Sequence, residues 1–381
     1  MIKGRNVWRL AGKVILLFLL AVNITLGVLV ITNYHEIGQL LKVTTLMKTN
    51  ALQPATTTEM FEGSLRGIVG SLKDPYSNYL GASEYQDLVI HIQGSFGGLG
   101  IVVGMRDDRL TVGAPPFKGT PAEKADIRTG DVIVQIDDRN TEGMDLETAI
   151  ALMRGQPGTQ VRLSIERAGE NNSIEVTLIR DIINIPSVES KVIEKDKRIG
   201  YIRLYSFSGN SGREFSQALD DLMAQGIKAL VFDLRYNGGG DFGVSLEVAN
   251  HFVPKGPVVR VIGRDNKEDI YEADGNNLGV PLVVLVNDMS ASASEIVAGA
   301  IKDTGSGILL GTKTYGKGLV QAVYPLTGGA GLKLTTHKYL TPNGNDINQK
   351  GIEPEIVVEM PTDSKQDLQL EKALEVLKSK I

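Results

Sequence analysis

Three serines stand at alternate positions in MSASASEIVAGAIKDTG, residues 289 to 305, directly before a segment with helical spacing. A serine hydroxyl acts as a nucleophile when a neighbouring base removes its proton. Ser292 and Glu295 also match the Ser-x-x-Glu spacing of a capping box, which satisfies free amides at a helix N-terminus. These residues alone leave both roles open, and capping serines are much the commoner.

A nucleophilic serine needs a base, and histidine is the usual one. The chain has four histidines: His35, His91, His251 and His337. None has neighbours that mark it as catalytic, which disfavours a Ser-His-Asp arrangement. Lys317 is the alternative, because it lies between Gly316 and Gly318 among small and apolar residues. A lysine that burial keeps neutral near pH 7 can accept the proton, although a solvated loop lysine gives the same pattern.

A third element is the glycine-rich stretch DLRYNGGGD, residues 233 to 241, which ends the apolar strand KALVFDL. Successive glycines let backbone amides approach a ligand closely, and such amides can form an oxyanion hole. A phosphate-binding loop is the competing interpretation, but no lysine follows in the spacing of a Walker motif. Serine, lysine and glycine loop together suggest acyl transfer.

Composition limits the alternatives. The 381 residues are 42% hydrophobic and 22% charged, which is typical of a folded chain of two or three domains. A net charge of -5 without a basic stripe makes nucleic acid an unexpected partner. The chain has no cysteine, so it has no disulfide, thiol nucleophile or cysteine-ligated metal.

The N-terminus predicts a membrane anchor. Residues 1 to 13 carry four basic side chains, and residues 14 to 31 are uncharged and almost wholly apolar. This length fits one transmembrane helix with the basic end in the cytoplasm and the rest of the chain outside. A cleaved signal peptide is the alternative, but no clear A-x-A site follows the apolar run.

The remaining chain divides by its hydrophobic pattern. Residues 32 to 90 are predicted to be mainly helical, and residues 91 to 181 read as a small β-rich module. From 182 to 365, wholly apolar strands alternate with helices, which predicts a buried, largely parallel sheet with its site at the strands' carboxyl ends. Residues 366 to 381 are predicted to form an amphipathic helix that packs on this core or on a second subunit.

The chain resembles the bacterial C-terminal-processing peptidases, which are membrane-associated serine proteases with a PDZ domain. The resemblance rests on the order and spacing of several motifs: DPYSNYL (74 to 80), FGGLGI (96 to 101), GTPAEKADIRTGDVIVQID (119 to 137), DLRYNGGG (233 to 240), SASASEIVAGAIKD (290 to 303), TYGKGLVQ (314 to 321) and YLTPNG (339 to 344). It implies an α/β protease core of crotonase-like ββα units, a PDZ domain and an N-terminal transmembrane helix.

The resemblance also implies roles for particular residues. Ser292 corresponds to the family's nucleophile, Lys317 to its general base, and Gln321 to the glutamine that orients the amine. The amides of Ala293 and Gly239 correspond to its oxyanion hole. No metal or organic cofactor is implied.

In the PDZ module, the loop GLGI, which comprises Gly98, Leu99, Gly100 and Ile101, is expected to hold a peptide's terminal carboxylate. The expected function is therefore a serine endopeptidase that cleaves near the C-termini of extracytoplasmic proteins, with the module delivering substrate or gating the site. A homo-oligomer and an adaptor protein remain open as partners. The alternative function is an inactive, membrane-anchored PDZ adaptor.

Overall fold

The computed structural model describes residues 16, 20, 34–170, 172–361 and 366–381. The chain divides into two compact units, residues 1–79 and residues 80–381. Apart from residues 16 and 20, the predicted membrane anchor at 14–31 lies outside the described residues. Among the residues that are described, no helix is long and apolar enough to cross a membrane. The anchor therefore stays a prediction.

From residue 34 onward, where the structure describes the first unit continuously, its helices are α1 (Tyr34–Asn50) and α2 (Thr57–Gly70). Helix α2 begins with a capping box in which the side chains of Thr56 and Glu59 each accept a hydrogen bond from the other residue's amide, at 3.2 and 2.7 Å. The helical character predicted for this region is therefore present. A short strand, β1 (Asn78–Leu80), follows where the two units meet along the chain.

The second unit begins with helix α3 (Ala82–Gln93) and a β-rich module. The elements of this module are β2 (Ser95–Gly98), β3 (Val103–Arg106), β4 (Arg109–Val112), α4 (Pro121–Lys124), β5 (Val132–Ile136), β6 (Arg139–Asn140), α5 (Leu146–Met153), β7 (Gln160–Glu166), β8 (Ile174–Ile179) and β9 (Asp181–Asn184). Strands β3, β4, β5, β7 and β8 form one antiparallel sheet in that order, and β2 pairs with β9 beside it. The β-rich character predicted for residues 91 to 181 is therefore present.

An α/β core comprises the rest of the second unit. Its elements are β10 (Val188–Val192), β11 (Ile199–Leu204), α6 (Ser211–Ala224), β12 (Ala229–Asp233), α7 (Phe242–Asn250), β13 (Gly256–Gly263), β14 (Glu268–Ala273), β15 (Leu282–Val286), α8 (Ala293–Thr304), β16 (Ile308–Gly311), β17 (Leu319–Pro325), a 3-10 turn (Thr327–Gly329), β18 (Gly331–Leu340), β19 (Ile356–Val357) and α9 (Leu368–Lys378).

The main sheet has the strand order β10-β11-β12-β15-β16-β19. All of its pairs are parallel except β10 with β11, so the sheet is mixed with one antiparallel edge. Strands β12 and β15 are buried along their full length, as expected for a parallel sheet covered on both faces. A second, antiparallel sheet joins β17, β18, β13 and β14, and the sequence pattern did not predict it.

The two faces of the main sheet have separate apolar cores. One face packs against helices α6, α7 and α8. The other face packs against the C-terminal helix α9, whose Ala373 and Leu377 are fully buried beside Tyr201 and Val231. The predicted amphipathic helix therefore packs on the chain's own core.

Candidate active site

Two loops at the carboxyl ends of neighbouring parallel strands meet at one edge of the main sheet. Asn237, in the loop after β12, accepts hydrogen bonds at its carbonyl from Ala291 N (3.1 Å) and Ser294 Oγ (2.8 Å) in the loop after β15 and the start of α8. Its side-chain amide donates to Leu204 O at 2.8 Å. These bonds hold the glycine-rich loop against the serine-rich loop.

The three serines at alternate positions have different environments. Ser290 is fully buried, and its hydroxyl donates to Leu234 O at 2.8 Å and accepts from Asn287 N at 3.0 Å. Ser294 is also fully buried and donates to Asn237 O. Ser292 alone of the three lines an open cleft. Structural roles therefore account for two of the serines and leave one in contact with solvent.

Ser292 precedes helix α8 and adopts an unusual backbone conformation, with φ 56° and ψ -115°. A non-glycine residue in such a region carries about 1–3 kcal/mol of strain, which neighbouring contacts must hold in place. Half of the predicted capping box is present, because Glu295 Oε2 accepts from Ser292 N at 2.9 Å. Among the described residues, the Ser292 hydroxyl forms no cap hydrogen bond. Capping thus occupies the amide of Ser292 and not its oxygen.

The loop that carries Lys317 approaches the same cleft. Gly316 has φ 88°, and a Cβ built on it would lie 2.7 Å from Gly351 N, so this position requires glycine. The Gly316 amide donates to Glu295 Oε1 at 2.7 Å, and the Lys317 amide donates to Glu295 Oε2 at 2.9 Å. The flanking glycine therefore lets the lysine loop pack against residues 347–351, and the amide hydrogen bonds tie the same loop to Glu295 at the start of α8.

The cleft has a volume of about 510 Å³. The three predicted catalytic residues, Ser292, Lys317 and Gln321, line it together. The Nε2 atom of Gln321 is buried and has no hydrogen-bond partner among the described residues. The other lining residues are Leu88, His91, Ile92, Gly238, Gly240, Asp241, Phe242, Ala293, Ile296, Leu319, Val320, Val323, Lys333 and Tyr339.

The two predicted oxyanion donors lie beside each other. Gly239 has φ 102°, and a Cβ added to it would lie 2.9 Å from Ser292 Cβ and 3.0 Å from Ala293 N. The Gly239 amide donates to Asn237 Oδ1 at 2.9 Å. In this arrangement the Gly239 amide is already hydrogen-bonded within the loop, so it can serve an oxyanion only by exchanging that bond.

The PDZ module contains a second, mainly apolar groove of about 270 Å³. All four residues of the predicted carboxylate loop, Gly98, Leu99, Gly100 and Ile101, line it. The remaining lining residues are Phe96, Val102, Val103, Phe117, Ile150, Met153, Arg154 and Ile185. Arg154 is the only cation among them, and its guanidinium lies 5.1 Å from the centre of the Phe96 ring. Such a groove fits an extended peptide with an apolar side chain near its end.

Sequence reasoning missed three features of the site. Glu295 appeared only as a capping residue, and Tyr339 only as part of a family motif. His91, with Leu88 and Ile92, lines the same cleft from helix α3, and no local pattern connects these residues with the distant Ser292. Of the three, only Glu295 had a signal in the sequence, namely the Ser-x-x-Glu spacing from Ser292.

A cleft with a serine and a lysine at the edge of an α/β sheet, together with a peptide groove in a separate β-rich module, defines a PDZ-containing hydrolase. Comparison with known proteins agrees with this class. Peptidase family S41 matches residues 198–358, and the PDZ domain family matches residues 117–167.

The chain is similar to carboxy-terminal processing proteases along most of its length. It is 35% identical to carboxy-terminal processing protease CtpA of Bacillus subtilis (strain 168), over 87% of this chain and 70% of that protein. It is 38% identical to the carboxy-terminal-processing protease of Bartonella bacilliformis, over 81% of this chain and 71% of the relative. A solved photosystem II D1 C-terminal processing protease has 34% identity and a TM-score of 0.50, with 87% of this chain and 89% of that chain covered. The chain belongs to the carboxy-terminal processing protease family and is an enzyme that hydrolyses peptide bonds.

Proposed function

We propose that this protein is a serine endopeptidase that cleaves near the C-termini of proteins with a Ser292-Lys317 dyad. The observation that carries the proposal is that these two side chains line one cleft, whereas the hydroxyls of Ser290 and Ser294 are buried and hydrogen-bonded. An inactive PDZ adaptor is disfavoured because Ser292, Lys317 and Gln321 are all present in the cleft.

The reaction begins with the neutral amine of Lys317. Ser292 Oγ attacks the scissile carbonyl carbon, and its proton passes to Lys317 Nζ. The resulting ammonium returns this proton to the leaving amine as the C–N bond breaks, which leaves an acyl group on Ser292. Water then attacks the acyl carbon with Lys317 again taking the proton, and the carboxylic acid product leaves as Ser292 Oγ regains a proton.

The negative charge that develops on the carbonyl oxygen needs hydrogen-bond donors. We assign this role to the amides of Ala293 and Gly239, which are adjacent. Gly239 N donates to Asn237 Oδ1 before substrate binds, so the oxyanion replaces the Asn237 amide oxygen as its acceptor. We assign the orientation of the Lys317 amine to Gln321, which lines the same cleft.

Substrate recognition is assigned to the PDZ groove. The apolar walls accept the last side chain of a protein tail, and the amides of the loop from Gly98 to Ile101 hold its carboxylate. The substrates are then proteins with exposed, apolar C-terminal ends. The apolar N-terminal segment at 14–31 supports a single-pass membrane protein with its N-terminus in the cytoplasm and its catalytic part outside.

Helix α3 supports a gating role for the PDZ module. Its Asp87 accepts from Arg154 Nη1 of the PDZ groove at 2.9 Å, and its Leu88, His91 and Ile92 line the catalytic cleft. A tail carboxylate in the groove competes with Asp87 for Arg154, so tail binding alters the contacts of a helix that also forms the cleft. A shift from about 1% to 50% active protein requires differential binding of only about 2.7 kcal/mol.

The dyad is tested by cleavage of an unstructured protein that ends in an apolar tail, with products identified by mass spectrometry. Ser292→Ala and Lys317→Arg are expected to lose cleavage, because the first lacks the nucleophile and a guanidinium stays charged. His91→Gln removes the histidine that lines the cleft and is expected to stay active. Cleavage by Lys317→Arg, or loss of cleavage in His91→Gln, would contradict the assignment of Lys317 as the base. Equal processing by Ser292→Ala and the unmodified enzyme would favour the adaptor.

Gating is tested by the basal activity of Asp87→Asn without a tail. The pair is partly exposed, so it contributes no more than ~1 kcal/mol, and we expect a twofold to fivefold rise at about that energy. Asp138→Asn removes a comparable surface pair with Arg162 inside the PDZ module and is the matched control. Equal basal activity in both variants would mean that the Asp87-Arg154 contact does not restrain the enzyme.

A deletion separates gating from delivery. Gly98 pairs directly with Asp181, so residues 99–180 can be replaced by a two-residue Asn-Gly turn that closes β2 and β9 as a hairpin. Constitutive cleavage of an unstructured protein by this variant would support gating. Loss of cleavage in a folded variant would mean that the module only delivers substrate.

A further inference from the structure

The nucleophile and the base are held by the same two buried side chains, Glu295 and Tyr339. Glu295 is fully buried in the first turn of α8, and Tyr339 is 1% exposed near the end of β18. Neither belongs to the proposed dyad or to the oxyanion hole. Each nevertheless forms hydrogen bonds to the backbones of both Ser292 and Lys317.

Glu295 holds the two amides. Its Oε2 atom accepts from Ser292 N and from Lys317 N, both at 2.9 Å. Its Oε1 atom accepts from Gly316 N at 2.7 Å and from Thr314 Oγ1 at 2.6 Å. One carboxylate group therefore receives four hydrogen bonds and joins the start of α8 to the lysine loop.

Tyr339 holds the two carbonyls. Its hydroxyl lies 3.0 Å from Ser292 O and 2.6 Å from Lys317 O, so its single proton is directed to both acceptors. The Tyr339 amide also donates to Gly318 O at 3.0 Å, which ties β18 to the same loop. Burial, and then the nearby negative charge of Glu295, hold the pKa of Tyr339 well above its usual value. The hydroxyl consequently stays protonated and remains a donor throughout the pH range in which proteins are assayed.

These hydrogen bonds hold the strained backbone of Ser292 in place. A residue with φ 56° and ψ -115° relaxes unless its own amide and carbonyl are held. Glu295 Oε2 accepts from the Ser292 amide, and the Tyr339 hydroxyl contacts the Ser292 carbonyl, which also accepts from the amides of Glu295 and Ile296. The same carboxylate and the same hydroxyl also bind the backbone of Lys317. Movement of the lysine loop away from α8 would disturb the hydrogen bonds that the Lys317 amide and carbonyl form with Glu295 and Tyr339.

We propose that Glu295 and Tyr339 are positioning residues that fix the separation of Ser292 and Lys317 by bracing the amides and the carbonyls of both residues. This proposal rests on the proposed dyad. It assigns a catalytic effect to a tyrosine hydroxyl whose two hydrogen-bond contacts are the backbone carbonyls of Ser292 and Lys317.

The test compares Tyr339→Phe with Tyr201→Phe in the full-length protein. Tyr201 is also a buried tyrosine, whose hydroxyl donates to Asp233 Oδ2 at 2.8 Å on the opposite face of the sheet. Both variants lose one buried hydroxyl, but only the first lies between Ser292 and Lys317. We expect Tyr339→Phe to lower kcat by about 10- to 100-fold, because small errors in the geometry of reacting groups have effects of this size. KM should stay within about twofold, since the substrate contacts are unchanged.

The pH dependence of kcat supplies a readout that a purely structural defect would not move. A displaced lysine has a different environment, so its apparent midpoint should shift in Tyr339→Phe and not in Tyr201→Phe. Wild-type kcat in Tyr339→Phe would overturn the proposal, as would an equal loss of kcat in both variants. If Tyr339→Phe does not fold, Glu295→Gln is measured instead, and full kcat in that variant overturns the proposal equally.

Ser292→Ala, assayed alongside, separates failure of the proposed dyad from failure of the proposed bracing role. If Ser292→Ala is active, the proposed dyad fails. If Ser292→Ala is inactive and Tyr339→Phe has the kcat of the unmodified enzyme, only the bracing role fails.

Discussion

The substitution Gly316→Ala probes how tightly the lysine loop is packed. An added Cβ would lie 2.7 Å from Gly351 N, 3.0 Å from Lys350 N and 3.2 Å from Ile347 O. These are backbone atoms, which cannot rotate away as a flexible side chain does. Alanine also pays about 1–2 kcal/mol for the positive φ, and an overpacked site costs about 1–3 kcal/mol more. The total expected loss in the free energy of unfolding is about 2–5 kcal/mol.

Gly328→Ala is the matched control for this prediction. Gly328 also has a positive φ, 76°, but a Cβ built on it meets no atom of the described residues within 4 Å. It should therefore lose only the backbone contribution, about 1–2 kcal/mol. Urea unfolding followed by far-ultraviolet circular dichroism measures both losses. Equal destabilisation in the two variants would refute the argument that contact with backbone atoms, and not φ alone, requires glycine beside Lys317.

Two further predictions concern stability. Burial lowers the pKa of His251, although the charges of Asp220, Asp274 and Glu247 oppose this, so folding favours the neutral imidazole. The unfolded chain then binds more protons between the folded-state pKa and pH 6.5, and stability falls as the pH drops through that window. His251→Gln should lose less in melting temperature between pH 7.5 and pH 5.5 than the unmodified protein, and an unchanged loss would contradict the assignment. Leu377→Ala should lower the free energy of unfolding by about 2–5 kcal/mol, because the Leu377 side chain is fully buried. Lys378→Ala, at an exposed position of the same helix, should lower it by almost nothing. Similar losses in the two variants would contradict the packing of α9 on the core.

The elements that the sequence predicted well are those in which hydrophobic pattern and packing agree. The apolar strands β12 and β15 and the alternating strands of the PDZ module appear where the pattern indicates. The antiparallel sheet of β13, β14, β17 and β18 escaped prediction, because those strands are only partly buried and lack a clean two-residue alternation. The antiparallel position of β10 likewise depends on pairing, which the local sequence does not encode.

The candidate site was predictable only in part for a similar reason. Ser292, Lys317 and Gln321 stand in recognisable local patterns, and the structure brings them to one cleft. Glu295 and Tyr339 act through contacts between segments far apart in the chain, so their local sequence reads as a cap and a strand. Helix α3 is a further example, since the pairing of Asp87 with Arg154 joins positions that no short-range pattern connects.

Lys317 is proposed to activate Ser292, and the rate at which a serine-reactive fluorophosphonate labels Ser292 measures this activation. The reagent is added to the unmodified enzyme and to Lys317→Arg across a pH series, and peptide mapping by mass spectrometry locates the adduct and gives its rate of formation. We predict one adduct, on Ser292, that forms faster as the pH rises and is nearly absent in Lys317→Arg, because an arginine cannot accept the proton. An adduct on another residue, or labelling of Ser292 in Lys317→Arg at the rate of the unmodified enzyme, would contradict the claim.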